Sequence, residues 1–139
     1  MTLEESKLHE LNQFAKKIRL NTLECLNHLG FGHYGGSLSV VEALAVLYGE
    51  IMPMTPEIFK ETERDYFVLS KGHAGPALYS TLYLKAFFDK DFLFSLNTNG
   101  THLPSHPDRN LTPGVDMTTG SLGQGISVAT GIAYGQKVK

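Results

Sequence analysis

A short apolar run followed by a glycine-rich turn and a proline constrains the fold of this chain more than any other feature. Residues 66–69 are β-branched or aromatic, as strands often are, and residues 70–75 contain two glycines and His73. Pro76 suits the first turn of the helical pattern that follows. In open α/β folds, ligands bind at the carboxyl ends of strands, and helix N-termini favour anions. The pattern therefore predicts an anion-binding turn around His73.

The composition is typical of one domain and argues against several functions. The 139 residues are 42% hydrophobic, which is enough to build a core, and a net charge of −2 leaves no basic stripe for nucleic acid. The polar, Glu-rich N-terminus resembles no secretory or transit peptide, and no apolar run approaches the length of a membrane span. Cys25 is the single cysteine, and its place on an apolar helix face predicts a small core residue. We therefore expect a cytoplasmic protein that binds neither nucleic acid nor membranes.

Hydrophobic periodicity predicts helices on both sides of the turn. Gly30 is the expected stop of the first helix, and the spacing of Ser39 and Glu42 matches a capping box at the start of the second. The second helix is apolar on nearly every side, so we expect it to be buried all round. The predicted helices cover residues 8–29, 40–52, 77–88 and 124–138.

The sequence defines one strand, at residues 66–69, whereas a parallel sheet needs several strands joined by crossover helices. We therefore predict an α/β fold, a parallel sheet flanked by helices, that is incomplete in this chain. Residues 1–139 are expected to form a single, truncated domain, completed by further polypeptide or by a partner.

Three loops carry histidines that could face one pocket, namely His33, His73 and His106. A fourth, glycine-rich loop at residues 120–125 leads into the last helix. Imidazoles suit proton transfer on a hydroxyl or carbonyl and hydrogen bonding to phosphate, although a single loop histidine is more often structural or solvated. The prolines and glycines of residues 100–125 favour an ordered, site-forming loop over a disordered one.

The motif spacing favours neither a zinc site nor a dinucleotide site. There is no His-Glu-x-x-His and no second cysteine, so no metal ligand is assigned. Residues 123–128 fail the dinucleotide fingerprint because Val128 occupies the third glycine position. His102 lies in the same loop as His106 but is given no role.

Four ordered segments of this sequence resemble the thiamine-diphosphate end of transketolase. They match the family in order and spacing, and the likeness runs from the first helix to the last residue. Ser121 stands where many single-chain transketolases have proline, so the chain is most similar to the N-terminal subunit of transketolases split into two polypeptides. The four segments are residues 32–39, 64–73, 105–107 and 118–125.

The resemblance implies a role for each site residue. His73 matches a histidine that contacts the cofactor diphosphate, and Gly120 and Leu122 match residues that hold the aminopyrimidine and thiazolium portions. His33 and His106 match histidines that hydrogen-bond the C1 hydroxyl and carbonyl of the donor ketose and assist proton transfers. The implied reaction moves a two-carbon ketol unit from a ketose phosphate to an aldose phosphate, with thiamine diphosphate as the cofactor.

The resemblance also implies partners. The family's magnesium-binding Gly-Asp-Gly motif does not occur in these residues, so Mg²⁺ is expected with ligands outside them. The pyrimidine-activating glutamate of the family lies in another domain, which implies a C-terminal transketolase subunit or the remaining polypeptide, in a homodimer or heterotetramer. The isolated chain is expected to be inactive.

Two alternatives stay open at this stage. One is a non-catalytic fragment or scaffold of the same fold. The other is a related thiamine-dependent enzyme such as a deoxyxylulose-phosphate synthase, which residues 70–73 and 120–123 resemble less than they resemble transketolase. Lys71 and Ser70 lie beside the implied site and are given no role.

Overall fold

The computed structural model describes residues 4–138, and these form six α-helices joined by turns and loops. No helix of this range is long and apolar enough to cross a membrane. Helix α3 continues into a π-helical turn, Leu47–Ile51, and short 3₁₀ turns lie at Ile58–Lys60 and Gly72–Ala74. The helices are α1 Glu5–Leu29, α2 Tyr34–Leu38, α3 Val41–Val46, α4 Gly75–Leu84, α5 Lys90–Phe94 and α6 Gln124–Lys137.

Helix α1 forms as predicted and packs against α3 and α4. It ends at Gly30, whose φ of 84° lets its N–H reach the carbonyl of Leu26, a conformation that glycine adopts without strain. Ile18 and Leu26 have no exposed surface. Cys25 is also a core residue, as predicted: its thiol donates to the carbonyl of Leu93, and burial raises its pKa to about 11. The thiol is therefore protonated and unreactive at neutral pH.

Helix α4 is the most deeply buried helix of the described region, since every residue from 75 to 82 is inaccessible. Pro76 lies in its first turn, as predicted. The helix ends at Leu84 rather than near residue 88, because Ala86 has a φ of 63° and leaves the helical region. Hydroxyl groups join it to α1, where Thr22 donates to Ser80 over 3.1 Å.

Two predictions for α3 are wrong. The Ser39 hydroxyl caps no helix, because it donates to the carbonyl of Gly36 instead, and the N-cap residue is Val40. The helical stretch is also not buried all round. One side is inaccessible, whereas Glu42, Val46 and Ile51 are exposed. The inaccessible side consists of Val41, Leu44, Ala45 and Tyr48.

The predicted parallel sheet is not confirmed, since no residue from 4 to 138 forms a β-strand. A strand requires a ladder of hydrogen bonds to a neighbouring backbone. In the segment 66–69 the N–H of Phe67 instead donates to a carboxylate oxygen of Asp116 over 2.8 Å. The other oxygen of Asp116 accepts from Arg64 over 2.7 Å, and both side chains of this ion pair are buried. The segment is thus held by a buried ion pair rather than by strand pairing.

The loop that precedes α6 is ordered and partly buried, as its prolines and glycines predicted, with Leu103 and Val115 at 0% and 4% exposure. Helix α6 also forms as predicted, but Gly125 is the one buried residue of the helix. A Cβ at Gly125 would lie 2.7 Å from the Cα of Ser70, so the two backbones meet there. The expected close packing is absent at Gly131 and Gly135, where no described atom lies within 4 Å of an added Cβ.

Candidate functional site

Three of the predicted site residues meet in the structure. The imidazole of His33 lies 5.3 Å, centroid to centroid, from that of His73 and 6.0 Å from that of His106. The rings are tilted by 59° and 66°, so each presents an edge or face to its neighbour instead of stacking. Residues separated by more than 70 positions in sequence therefore form one imidazole cluster, which we define as His33, His73 and His106.

Each imidazole is placed by a glycine or proline turn beside a helix. His33 occupies the N-cap position of α2, directly after Gly32, whose φ of 143° is favourable for glycine alone. His73 lies in the 3₁₀ turn that leads into α4. His106 precedes Pro107, whose carbonyl accepts from the N–H of Thr119 over 3.1 Å.

Close backbone contacts fix the turns against one another. A Cβ at Gly36 would lie 2.7 Å from Cδ2 of His73, so the ring rests on the bare backbone of the α2 segment. A Cβ at Gly72 would lie 2.6 Å from the carbonyl oxygen of Thr119. Any side chain at these two glycines would force the loops apart, because real Cβ atoms do not approach other atoms this closely. The glycines thus set the spacing of the cluster.

The two remaining predicted residues differ in their placement. Gly120 faces the cluster, since a Cβ there would lie 3.9 Å from Cδ2 of His106. Leu122 projects into solvent with 69% of its surface exposed. The turn between them and α6 is held by the N–H of Gly123, which donates to the carbonyl of Ser70 over 3.3 Å.

The electrostatics of the cluster suit an anionic ligand. The pKa of His73 is lowered, chiefly by burial and then by the charges of His33, Lys71 and His106. At neutral pH His73 is therefore an uncharged imidazole that can donate one hydrogen bond. It stands immediately before the N-terminus of α4, where free N–H groups favour negative charge.

Polar groups with unused hydrogen-bonding capacity line the same loops. Among the described residues, the hydroxyls of Ser37, Ser70 and Thr119 are buried without a hydrogen-bond partner. Such groups normally find a partner in a protein, a ligand or water. Within residues 4–138, however, no cluster of three His, Cys, Asp or Glu side chains is arranged to hold a metal ion.

The other histidines lie outside the cluster. His102 is exposed, and its backbone carbonyl accepts from the hydroxyl of Thr112 over 2.8 Å. His28 is exposed on α1 and packs edge-on against Phe94. His9 is exposed on the same helix. None of them joins the three imidazoles.

Sequence reasoning missed two polar residues that shape the site. Lys71 donates from Nζ to the carbonyl of Gly36 over 2.9 Å and to the Ser39 hydroxyl over 2.7 Å. Its place two residues before His73, inside a glycine turn, was the available signal. Asp116 holds the segment before the His73 turn through Arg64 and Phe67. Its one sequence signal was a lone carboxylate in an otherwise apolar part of the loop.

These features define a class: a protein whose loops gather uncharged imidazoles at a helix N-terminus, which suits an anionic ligand and proton transfer. Residues 11–139 match the family model described as transketolase, thiamine diphosphate binding domain. The chain belongs to this family. The resemblance carried by the four sequence segments is therefore confirmed.

Relatives and solved structures agree with this assignment. Over 124 residues, 89% of this chain, it is 54% identical to the 6-deoxy-6-sulfo-D-fructose transketolase subunit SqwG of Clostridium sp. (strain MSTE9). Over the same share it is 40% identical to one subunit of the apulose-4-phosphate transketolase of Phocaeicola vulgatus. Transketolase from Leishmania mexicana matches 88% of the chain at a TM-score of 0.82 and 34% identity, over 18% of its own length.

The matched region is a fraction of each relative. The chain spans 45% of SqwG and 44% of the apulose-4-phosphate transketolase subunit, so it covers about half the length of these relatives. Both are subunits by name, as the resemblance to split transketolases led us to expect.

Proposed function

We propose that this chain forms the diphosphate-side wall of a thiamine-diphosphate site in a transketolase, and that the enzyme transfers a two-carbon ketol unit from a ketose to an aldose. The observation that carries the proposal is the imidazole cluster, because three histidines from separate loops lie within 6.0 Å of one another in consecutive pairs. A purely structural loop histidine needs no such grouping. Residues 1–139 act in this proposal as one unit.

The residues of the site fit the proposed cofactor. His73 stands before the α4 N-terminus with the bare backbone of Gly36 against its ring, which leaves a polar cradle suited to a diphosphate. The backbone of Gly120 is open towards His106, and the exposed side chain of Leu122 offers an apolar contact for a heterocycle. When bound, thiamine diphosphate supplies the nucleophilic carbon and stabilises negative charge on the transferred unit.

His33 and His106 are proposed to hold the substrate and move its protons. Their rings lie 6.0 Å apart, so a hydroxyl or carbonyl oxygen between them can be within hydrogen-bond distance of both. An imidazole titrates near neutral pH and can therefore both accept a proton and return it. His73 keeps a separate role, because its uncharged N–H donates towards the diphosphate.

The proposal includes a partner polypeptide and Mg²⁺. SqwG and the matched part of the apulose-4-phosphate transketolase are named as subunits, which supports a C-terminal partner that completes the site. Homodimeric or heterotetrameric assembly, metal ligands outside residues 1–139 and a cytoplasmic location stay predictions.

For the substrate we propose a ketose whose far end carries an anionic group. The two relatives are named for a sulfonated sugar and a sugar phosphate, and both sulfonate and phosphate are anions. The chain is more identical to the first than to the second, at 54% against 40%. A 6-deoxy-6-sulfo-ketose and a ketose phosphate should therefore be compared as donors in parallel.

The test is a ketol-transfer assay on the chain assembled with the polypeptide that completes the enzyme. Replacing His33 or His106 with Gln should lower kcat by about 10²-fold or more at saturating cofactor, since positioned proton transfer contributes that much. His73→Gln should instead raise the cofactor concentration needed for half-maximal rate more than it raises the KM for substrate.

His102→Gln is the matched control, because His102 is an exposed histidine outside the cluster. It should leave all constants unchanged. An assembled protein that binds thiamine diphosphate but transfers no ketol unit from either donor would contradict the proposal and favour a non-catalytic scaffold.

A further inference from the structure

Lys71 joins the loop of His33 to the turn of His73. Its ammonium donates to the carbonyl of Gly36 over 2.9 Å and to the hydroxyl of Ser39 over 2.7 Å. The Ser39 hydroxyl in turn donates to the same Gly36 carbonyl over 3.1 Å. One cation thus connects the backbone and a side chain of the α2 segment in a closed triangle of hydrogen bonds.

The triangle lies where the site has no spare room. Gly36 carries the carbonyl that Lys71 binds, and a Cβ on the same residue would lie 2.7 Å from Cδ2 and 3.0 Å from Nε2 of His73. The same Cβ would lie 3.9 Å from the Cβ of His33. A displacement of the Gly36 backbone by a few tenths of an ångström therefore changes the separation of these two imidazoles.

The charge of Lys71 also reaches the cluster. Burial lowers the pKa of His73 first, and the positive charges of His33, Lys71 and His106 lower it further. A cation held in place by two acceptors keeps a fixed distance from the imidazole, whereas a free lysine side chain would move through solvent. The lysine thus acts on His73 through both position and charge.

We propose that Lys71 is a positioning residue that clamps the His33 loop against the His73 turn and so sets the spacing of the two imidazoles. Its kinetic consequence rests on the proposed transketolase function, whereas the clamp itself is a property of the chain. Lys71 is not a catalytic residue in this inference, because it acts through Gly36 and His73.

The experiment uses the assembled enzyme with labelled histidine and follows the imidazoles by NMR. Lys71→Met keeps the length of the side chain but removes its donors and charge. The pKa of His73 should rise, because one nearby positive charge is gone, and the nuclear Overhauser contacts between the rings of His33 and His73 should weaken. Half-saturation by thiamine diphosphate should require about tenfold more cofactor, with a smaller change in kcat.

Two further variants separate the clamp from the charge. Ser39→Ala removes one acceptor and leaves the ammonium, so it should weaken cofactor binding while the pKa of His73 changes little. Lys71→Arg keeps the charge and the donors, and it should restore most of the cofactor affinity that Lys71→Met loses. A merely structural lysine would produce neither the change in the His73 titration nor this recovery.

Lys85→Met is the matched control. The Nζ of Lys85 also donates to a backbone carbonyl, that of Tyr48 over 3.1 Å, but on the opposite end of α4 from His73. It should leave the His73 titration and the cofactor dependence unchanged. The inference is overturned if Lys71→Met leaves both the ring contacts and the His73 pKa as in the unmodified protein. If the unmodified enzyme transfers no ketol unit, the proposed function fails, and the NMR readouts still decide the role of Lys71.

Discussion

The loop at residues 101–119 and helix α6 show opposite relations between regularity and burial. The loop contains no regular secondary structure, yet Leu103, Thr112 and Val115 are at most 4% exposed. Helix α6 is a regular 14-residue helix, yet Gly125 is the one residue of it that is buried within the described structure. The irregular segment is therefore the better anchored of the two.

The difference divides the candidate site into two walls. His106 belongs to the anchored loop, whereas Gly120 and Leu122 lie where that loop passes into α6. Regions with few buried contacts open at low free-energy cost, and regions tied into a core open only with the whole structure. The imidazole wall should therefore be fixed before any ligand binds, and the wall next to α6 should be the more adaptable.

The largest expected effect comes from removing the ion pair that anchors the loop. Asp116→Ala should destabilise the protein by about 3–5 kcal/mol, because it leaves the buried guanidinium of Arg64 without a counter-charge and the Phe67 N–H without an acceptor. The measurement is the urea-unfolding midpoint of the purified protein. Glu24→Ala is the control, since it breaks the exposed pair with Lys90 and should cost less than about 1 kcal/mol. Equal costs for the two variants would show that the loop is not anchored through Asp116.

Asp116 also marks a limit of sequence reasoning. Its partners Arg64 and Phe67 are 52 and 49 residues away, so no local pattern connects them. The apolar run at residues 66–69 looked like a strand because it has the right residue types, but strand formation depends on a neighbouring backbone that composition does not reveal. Ser39 failed as a helix cap for a similar reason, since Gly36 and Lys71 compete for its hydroxyl.

Features with a local cause were predicted well. The end of α1 at Gly30 follows from a backbone conformation that glycine favours, and the start of α4 follows from the fixed φ of Pro76. The three histidines were found because they lie in glycine and proline turns. Their juxtaposition could be proposed from the family resemblance, but the spacing that Gly36 and Lys71 impose required the structure.

A pair of leucines sharpens the comparison between the two walls. Leu103 is fully buried in the loop, so Leu103→Ala should cost about 3 kcal/mol through lost burial and the cavity it leaves. Leu122 is 69% exposed, so Leu122→Ala should change stability by less than about 0.5 kcal/mol. Urea unfolding with an unchanged m-value measures both. In the assembled enzyme, Leu122→Ala should nevertheless weaken thiamine-diphosphate binding. A stability loss of similar size in both variants would mean that the two walls are equally anchored.

The smallest expected effect tests how α6 is held, and two glycines of that helix provide the contrast. Gly131→Ala should stabilise the protein by about 0.5–1 kcal/mol, because alanine is the better helix former and no described atom lies within 4 Å of the added Cβ. Gly125→Ala should destabilise it by about 1 kcal/mol net, since the added Cβ would lie 2.7 Å from the Cα of Ser70 and the helix start must shift. Hydrogen exchange should then be faster for the α6 amides in Gly125→Ala and unchanged in α4. If both variants instead stabilise the protein by the same amount, the contact between Gly125 and Ser70 does not hold α6, and the adaptable wall has no fixed point of attachment to the His73 turn.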